Sequence, residues 1–176
     1  MKTLETERLI LRAWAESDAE DFYEYAKHPE VGLNGGWPPH TGIDISREVI
    51  GYFINDADIW AIVWKETGKV IGSVGLHKDN KRPNIAVREL GFCVSADYWG
   101  MGIATEAGRR AIAHAFEDMG LDLVSTYHKA FNDKAKNVVE KCGFTYEGTL
   151  RQCSKRYDGL IFDAKCYSIL KDDYAN

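Results

Sequence analysis

Tyr98-Trp99-Gly100-Met101-Gly102-Ile103-Ala104-Thr105-Glu106-Ala107 is the stretch whose reading decides the fold. It follows a strand pattern, Glu89 to Val94, and opens a helix in which Ile103, Ala107, Ala111, Ala115 and Met119 share one stripe. Two glycines therefore stand at a strand-to-helix junction. The first turn of a helix carries free backbone N–H groups and a partial positive charge, so such a junction can hold a pyrophosphate without a lysine. Gly100-x-Gly102 alone equally suits any tight turn. A Rossmann motif would need a third glycine near Thr105 and repeated βαβ units, and a P-loop would need Gly-Lys-Ser/Thr; neither is present.

Outward from this junction the pattern alternates between sheet and helix. Upstream, Ile59–Trp64 and Val70–Leu76 flank Glu66-Thr67-Gly68-Lys69, which reads as a hairpin turning on Gly68. Earlier still, Arg8–Trp14 reads as a strand, and Ser17 with Glu20 fits a capping box opening a helix that runs to about His28. Pro29–Gly42 holds five further Gly and Pro residues among Val31, Leu33 and Trp37, and reads as a loop with apolar contents. Asp44–Ile54 returns to helical spacing. Downstream come a strand, Leu123–His128, a helix, Asp133–Cys142, stopped by Gly143, and closing strands through Phe162–Leu170. Early helices followed by a mainly antiparallel sheet crossed by two helices give an α+β fold.

The chain has 176 residues, room for one domain. A net charge of −5 excludes a general cationic surface for nucleic acid, so any bound anion must be held locally. Cys93, Cys142, Cys153 and Cys166 form no C-x-x-C pair and read as reduced, structural thiols. The charged N-terminus and the absence of an apolar run near ~20 residues point to a cytoplasmic protein that does not enter a membrane. His28, His40, His77, His114 and His128 are isolated from one another, and no metal is expected.

Trp99-x-x-Gly102-x-Ala104 resembles motif A of the GNAT acetyl-CoA-dependent N-acetyltransferases, Gln/Arg-x-x-Gly-x-Gly/Ala, with Trp at the first position. That Trp is typical of the RimJ/RimL-like branch, which acetylates protein α-amino groups. Thr6–Arg12, His28-Pro29-Glu30-Val31 with Gly36-Trp37-Pro38, and Asn132–Phe144, which is similar to motif B, follow the same branch in order. The resemblance implies a single GNAT domain over residues 7–172, a mixed, mainly antiparallel sheet flanked by helices, and acetyl-CoA as acyl donor.

By this resemblance, Phe92, Cys93 and Val94 pair through their backbones with the pantetheine arm as an added strand. Trp99, Gly100, Met101, Gly102, Ile103, Ala104 and Thr105 receive the pyrophosphate. Asn132 either holds the pantetheine or simply caps the helix at Asp133. Met101 stands where the family often has Lys or Arg, and Ala135 replaces the motif B Ser; Lys141 is a candidate to compensate. Glu89 aligns with a family general base and should point opposite to Leu90, Phe92 and Val94; the alternative is a salt bridge, for instance with Arg88. Val139 stands where many relatives carry a Tyr general acid, which leaves Tyr146, Tyr157 and Ser125 as substitutes. Trp37 and Pro38, in the Val31–His40 loop, and Arg151–Asp163 with Asp158 and Asp163, are candidates for the acceptor pocket. The expected acceptor is a primary amine, either a protein N-terminus or a small molecule such as a polyamine, amino acid or aminoglycoside. A non-catalytic acyl-CoA sensor is the competing class. Relatives are monomers or homodimers.

Overall fold

Eight strands make one sheet in the order β1-β2-β3-β4-β5-β6-β8-β7 in a computed structural model that describes residues 1–56 and 58–175. The strands are β1 (Leu4–Glu5), β2 (Leu9–Arg12), β3 (Ile59–Trp64), β4 (Val70–Lys78), β5 (Val87–Val94), β6 (Leu123–Lys129), β7 (Thr145–Lys155) and β8 (Ile161–Leu170). The helices are α1 (Ala19–Ala26), α2 (Pro29–Gly35), α3 (Ile43–Asn55), α4 (Ile103–Glu117), α5 (Asp133–Lys141) and α6 (Lys171–Tyr174). Neighbouring strands are antiparallel except β5 and β6, which run parallel with α4 as their crossover. This is the expected α+β architecture.

Each face of the sheet buries its own apolar set. On one face Leu9, Leu11, Ile62, Val74, Leu76 and Leu90 pack with Ile103, Ala107 and Ala111 of α4 and Val139 of α5. On the other, Phe22 and Tyr25 of α1 and Ile50 of α3 cover Ala61, Val63 and Val70. Alternation along β5 divides Leu90, Phe92 and Val94, which face α4, from Cys93 on the face of α1–α3.

Two local expectations are corrected. The capping box does not sit at Ser17: a short 3₁₀ turn, Glu16–Asp18, precedes α1, and the Asp18 carboxylate accepts the Ala15 N–H at 2.9 Å while pairing with Arg12 at 2.8 Å. The Pro29–Gly42 segment is not all loop, because Pro29 occupies the first turn of α2, where its missing N–H costs nothing. The helix ends at Gly36, whose φ of 98° is left-handed. Trp37 then folds back so tightly over Gly35 that a β-carbon there would fall within its ring.

The feature that positions the site is the brevity of the β5–β6 pairing. Only Val87, Arg88 and Glu89 pair with Leu123, Val124 and Ser125; beyond them the strands part. The first rung past the fork is made by a side chain, Thr126 Oγ1 donating to Leu90 O at 2.9 Å.

Candidate active site

The phase of hydrogen bonding along β5 determines which backbone groups look into the wedge between β5 and β6. Ser95 N–H donates to Ile71 O, and antiparallel pairs alternate between bonded and non-bonded, so Gly91 and Cys93 turn their backbone groups to β4. Phe92 and Val94 turn theirs into the wedge. The Val94 carbonyl is already engaged by Trp99 Nε1 at 2.9 Å. Cys93 therefore meets the cavity only through its side chain, and burial pushes its thiol up to about 12.

At the wide end of the wedge, Gly100 and Gly102 both have φ 79°, a left-handed conformation that disfavours any side chain. Glu106 is the first residue whose N–H bonds back, to Gly102 O, and the N–H groups from Gly100 to Thr105 have no partner among the described residues. Met101 is exposed, whereas Ile103 is sunk in the core and can serve a ligand only through its backbone. Ala104 lines the central cavity. Thr105 and Lys141 lie on the rim of a separate depression of about 630 Å³, together with Arg8, Gly102, Arg109 and Arg110.

In the sequence Arg8 stands out only as part of a strand and of the Thr6–Arg12 segment, with no site role. Glu106 accepts from Thr6 Oγ1 at 2.5 Å, from the Arg8 N–H at 3.1 Å and from Arg8 Nε at 2.7 Å. Burial opposes ionisation of Glu106, but these bonds outweigh it and hold the carboxyl below its ordinary range. The clamp sets the guanidinium beside the glycine turn, where Arg8 Nη1 donates to Met101 O at 3.0 Å. The N-terminal strand thus places a cation beside position 101. Arg109 reaches the same rim, donating to Lys141 O at 2.5 Å.

A cavity of about 720 Å³ runs from Trp99 and Asn132 to the α1–α3 side of the sheet. Asn132 caps α5, its Oδ1 accepting the Ala135 N–H at 3.0 Å, which leaves its amide nitrogen as donor. Lys134 stacks its ammonium 3.6 Å from the centre of the Trp99 ring. Trp37 lines the cavity, with an indole N–H that is buried and has no partner among the described residues, whereas Pro38 is exposed and outside the lining. The Tyr25 hydroxyl is also buried in the lining; Ser73 lies beside it, but no hydrogen bond of ordinary geometry joins them. Lys129 points into the same space, donating to Asn34 O at 2.5 Å, and burial lowers its pKa. No carboxylate lies within ion-pair distance of Lys129 among the described residues.

Glu89 is the one carboxylate among the described residues of this lining. Its ion-pair partner is Lys81 at 3.8 Å rather than Arg88, and burial, helped by the charge of Asp79, raises its pKa. Beneath it, Asp79 is fully buried and accepts from Ser125 Oγ at 2.7 Å, the Lys81 N–H at 2.8 Å, Tyr127 OH at 3.1 Å and Arg82 at 3.1 Å. Arg82 continues to Glu147, which accepts from Ser168. Ser125 is therefore committed to a structural network. Tyr146 bonds Thr149 on the surface and Tyr157 is exposed. Asp158 pairs with Arg156, Asp163 accepts the Gln152 N–H, and neither lines the cavity.

Residues 8–145 match the model of the acetyltransferase (GNAT) domain. The chain is 32% identical over 181 residues to the uncharacterized N-acetyltransferase p20 of Bacillus licheniformis, covering 99% of each. A GNAT-family acetyltransferase from Bacillus anthracis superposes with a TM-score of 0.88 at 22% identity, over 97% of this chain and 99% of that one. Spermidine N-acetyltransferase from Vibrio cholerae, solved with CoA and spermine, gives 0.79 at 23% identity, over 97% and 100%. No helix among the described residues is long and apolar enough to cross a membrane.

Proposed function

Because this chain belongs to the GNAT acetyltransferase family and takes acetyl-CoA as acyl donor, we propose that residues 7–172 form one RimJ/RimL-like domain that acetylates the N-terminal α-amine of a peptide or protein in the cytoplasm. The observation that carries this reading is the inventory of the 720 Å³ cavity: one carboxylate, Glu89, against Lys129, the Trp37 N–H and the Tyr25 hydroxyl. A polyamine carries several positive charges and would meet a buried ammonium with one carboxylate to receive it. A peptide N-terminus offers one amine followed by carbonyl oxygens, which match the unpartnered donors.

In this reading the wedge-facing backbone of Phe92 and the N–H of Val94 bind the pantetheine arm, and the Phe92 N–H polarises the thioester carbonyl. The free N–H groups from Gly100 to Thr105 hold the pyrophosphate, with Arg8, Arg109 and Lys141 supplying charge at the rim. Glu89 converts the incoming ammonium to a neutral amine, releasing that proton to solvent at the Lys81 edge. Its raised pKa brings it nearer to the pH at which a base of this kind works.

The test is thiol release from acetyl-CoA with a peptide bearing a free N-terminal Ala, the same peptide N-acetylated but carrying an internal Lys, and spermidine. The free N-terminus alone should be turned over. Acetylation of spermidine without the peptide overturns the assignment of the acceptor.

A further inference from the structure

His77 stands directly opposite Glu89 across the β4–β5 pair. Its ring does not extend toward that carboxylate; it folds along the sheet over the next pair, Gly75 and Gly91. A β-carbon on Gly75 would lie 2.8 Å from His77 Nε2, and one on Gly91 would lie 3.0 Å from the same nitrogen. Neither glycine has the left-handed φ that would itself call for glycine. What the two glycines provide is a slot for the imidazole, on the sheet face covered by α1–α3.

The slot carries Nε2 two residues, about 6.8 Å, along the strand from Glu89 toward the fork. There it lies over Gly91, beside the wedge-facing Phe92. His77 lines the cavity, and neither ring nitrogen has a hydrogen-bond partner among the described residues.

We propose that His77 is a catalytic residue of the acetyl transfer, moving the second of the two protons that an ammonium must lose. Glu89 takes the first and passes it to solvent. As the amine nitrogen bonds the carbonyl carbon and the carbon–sulfur bond breaks with its electron pair on sulfur, His77 Nε2 receives one of the two N–H protons left on nitrogen, and the amide keeps the other. The imidazolium returns it to the thiolate, giving CoA thiol and a neutral ring. One group thereby acts as base and then acid, filling the place left by Val139. The proposal rests on the acetyl-transfer reading above.

The charged groups facing the ring are Asp56 and Asp58 from the end of α3 and the loop after it, and Glu89 from β5 with its partner Lys81. The two aspartates favour the imidazolium, but burial, the larger influence, lowers its pKa and leaves the neutral base as the resting form at pH 7.

The experiment follows kcat from pH 5 to 9 for wild type, His77→Gln and His77→Ala, with Ala-Phe amide and 2-phenylethylamine as acceptors, and measures acetyl-CoA affinity by calorimetry. We expect His77→Gln to lower kcat about a hundredfold with acetyl-CoA affinity within twofold of wild type. The acid-side profile of kcat should change shape below pH 6.5 in this variant, only the fall set by Glu89 remaining, and added imidazole should restore His77→Ala. Variants within threefold of wild type overturn the proposal. So does a loss that accompanies weakened acetyl-CoA binding, keeps the wild-type shape of the acid-side profile and resists imidazole, which is the pattern of a packing role. A wild-type protein that acetylates neither probe overturns the acetyl-transfer reading itself, and the role of His77 falls with it.

Discussion

The proposed donor and acceptor ends of the cavity are built from different material. At the donor end, the groups we propose for binding are the backbone N–H and C=O of Phe92, the N–H of Val94 and the N–H groups of the Gly100–Thr105 turn, all within fourteen residues of sequence. At the acceptor end they are side chains, Tyr25, Trp37, His77, Glu89 and Lys129, brought together from α1, the segment after α2, and three strands. Backbone recognition depends on conformation and tolerates loss of a neighbouring side chain. Side-chain recognition depends on tertiary packing and fails one residue at a time.

The largest effect should come from the support under the acceptor end. Asp79→Ala removes the acceptor for Ser125, Tyr127 and Arg82, leaving the Ser125 hydroxyl buried and the other two donors half-buried without it. Urea denaturation at pH 7 should show a loss of about 3–5 kcal/mol. The sign with pH is fixed by the direction of the shift. Burial works against the Asp79 charge, but its hydrogen bonds outweigh burial and depress its folded pKa. The stabilisation is therefore complete above the unfolded value, about 3.9, and is lost as pH falls through the lower folded value. The gap between variant and wild type should narrow there.

Glu89→Gln comes next. It should lower kcat/KM at pH 7 about a hundredfold with acetyl-CoA affinity intact. The deficit should shrink above about pH 8, where a free α-amine is already neutral. A variant that instead loses acetyl-CoA affinity would mean the two ends are not separable.

This difference in material explains what could be read in advance. The motif at Tyr98–Ala107 and the strand, helix and strand around it are local patterns, and the α+β fold, the GNAT family and the donor-side turn follow from them. Phe92 and Val94 were legible as part of β5, but that Cys93 faces β4 instead depends on the register of Ser95 against Ile71. His77 reads as isolated in sequence because its setting is a glycine pair on two strands, Gly75 two residues before it and Gly91 fourteen after. Arg8 likewise acquires its place only through Glu106, 98 residues on. Trp37 was found beside Pro38 in a motif, yet only packing over Gly35 turns one into the cavity and the other out.

At the donor end, Gly102→Ala should be the more damaging kind of change. Its φ of 79° strains any L side chain by about 1–3 kcal/mol. Relaxation of that strain would swing the N–H groups of the turn, so acetyl-CoA affinity should fall about tenfold while the Glu89-dependent pH profile keeps its shape. Unchanged affinity would show that the turn's conformation is not what binds the donor.

The smallest effect expected, and the sharpest test of backbone against side chain, is Arg8→Gln. Arg8 sits at the rim, about a third of its side chain exposed, and part of its charge is answered by Glu106 at 2.6 Å. Its attraction for a phosphate is therefore screened by water, salt and its own partner. Acetyl-CoA affinity should drop only threefold to fivefold, as a rough expectation for an exposed charge. The loss should fade between 50 and 500 mM salt, because at the higher concentration wild type is weakened toward the variant. Gly102→Ala should show no such convergence, since N–H groups misdirected by a strained turn are not repaired by screening. If Arg8→Gln costs as much as Gly102→Ala and does so at every salt concentration, the guanidinium holds the turn in shape through Met101 O and Glu106, and the donor end too is built on a side chain.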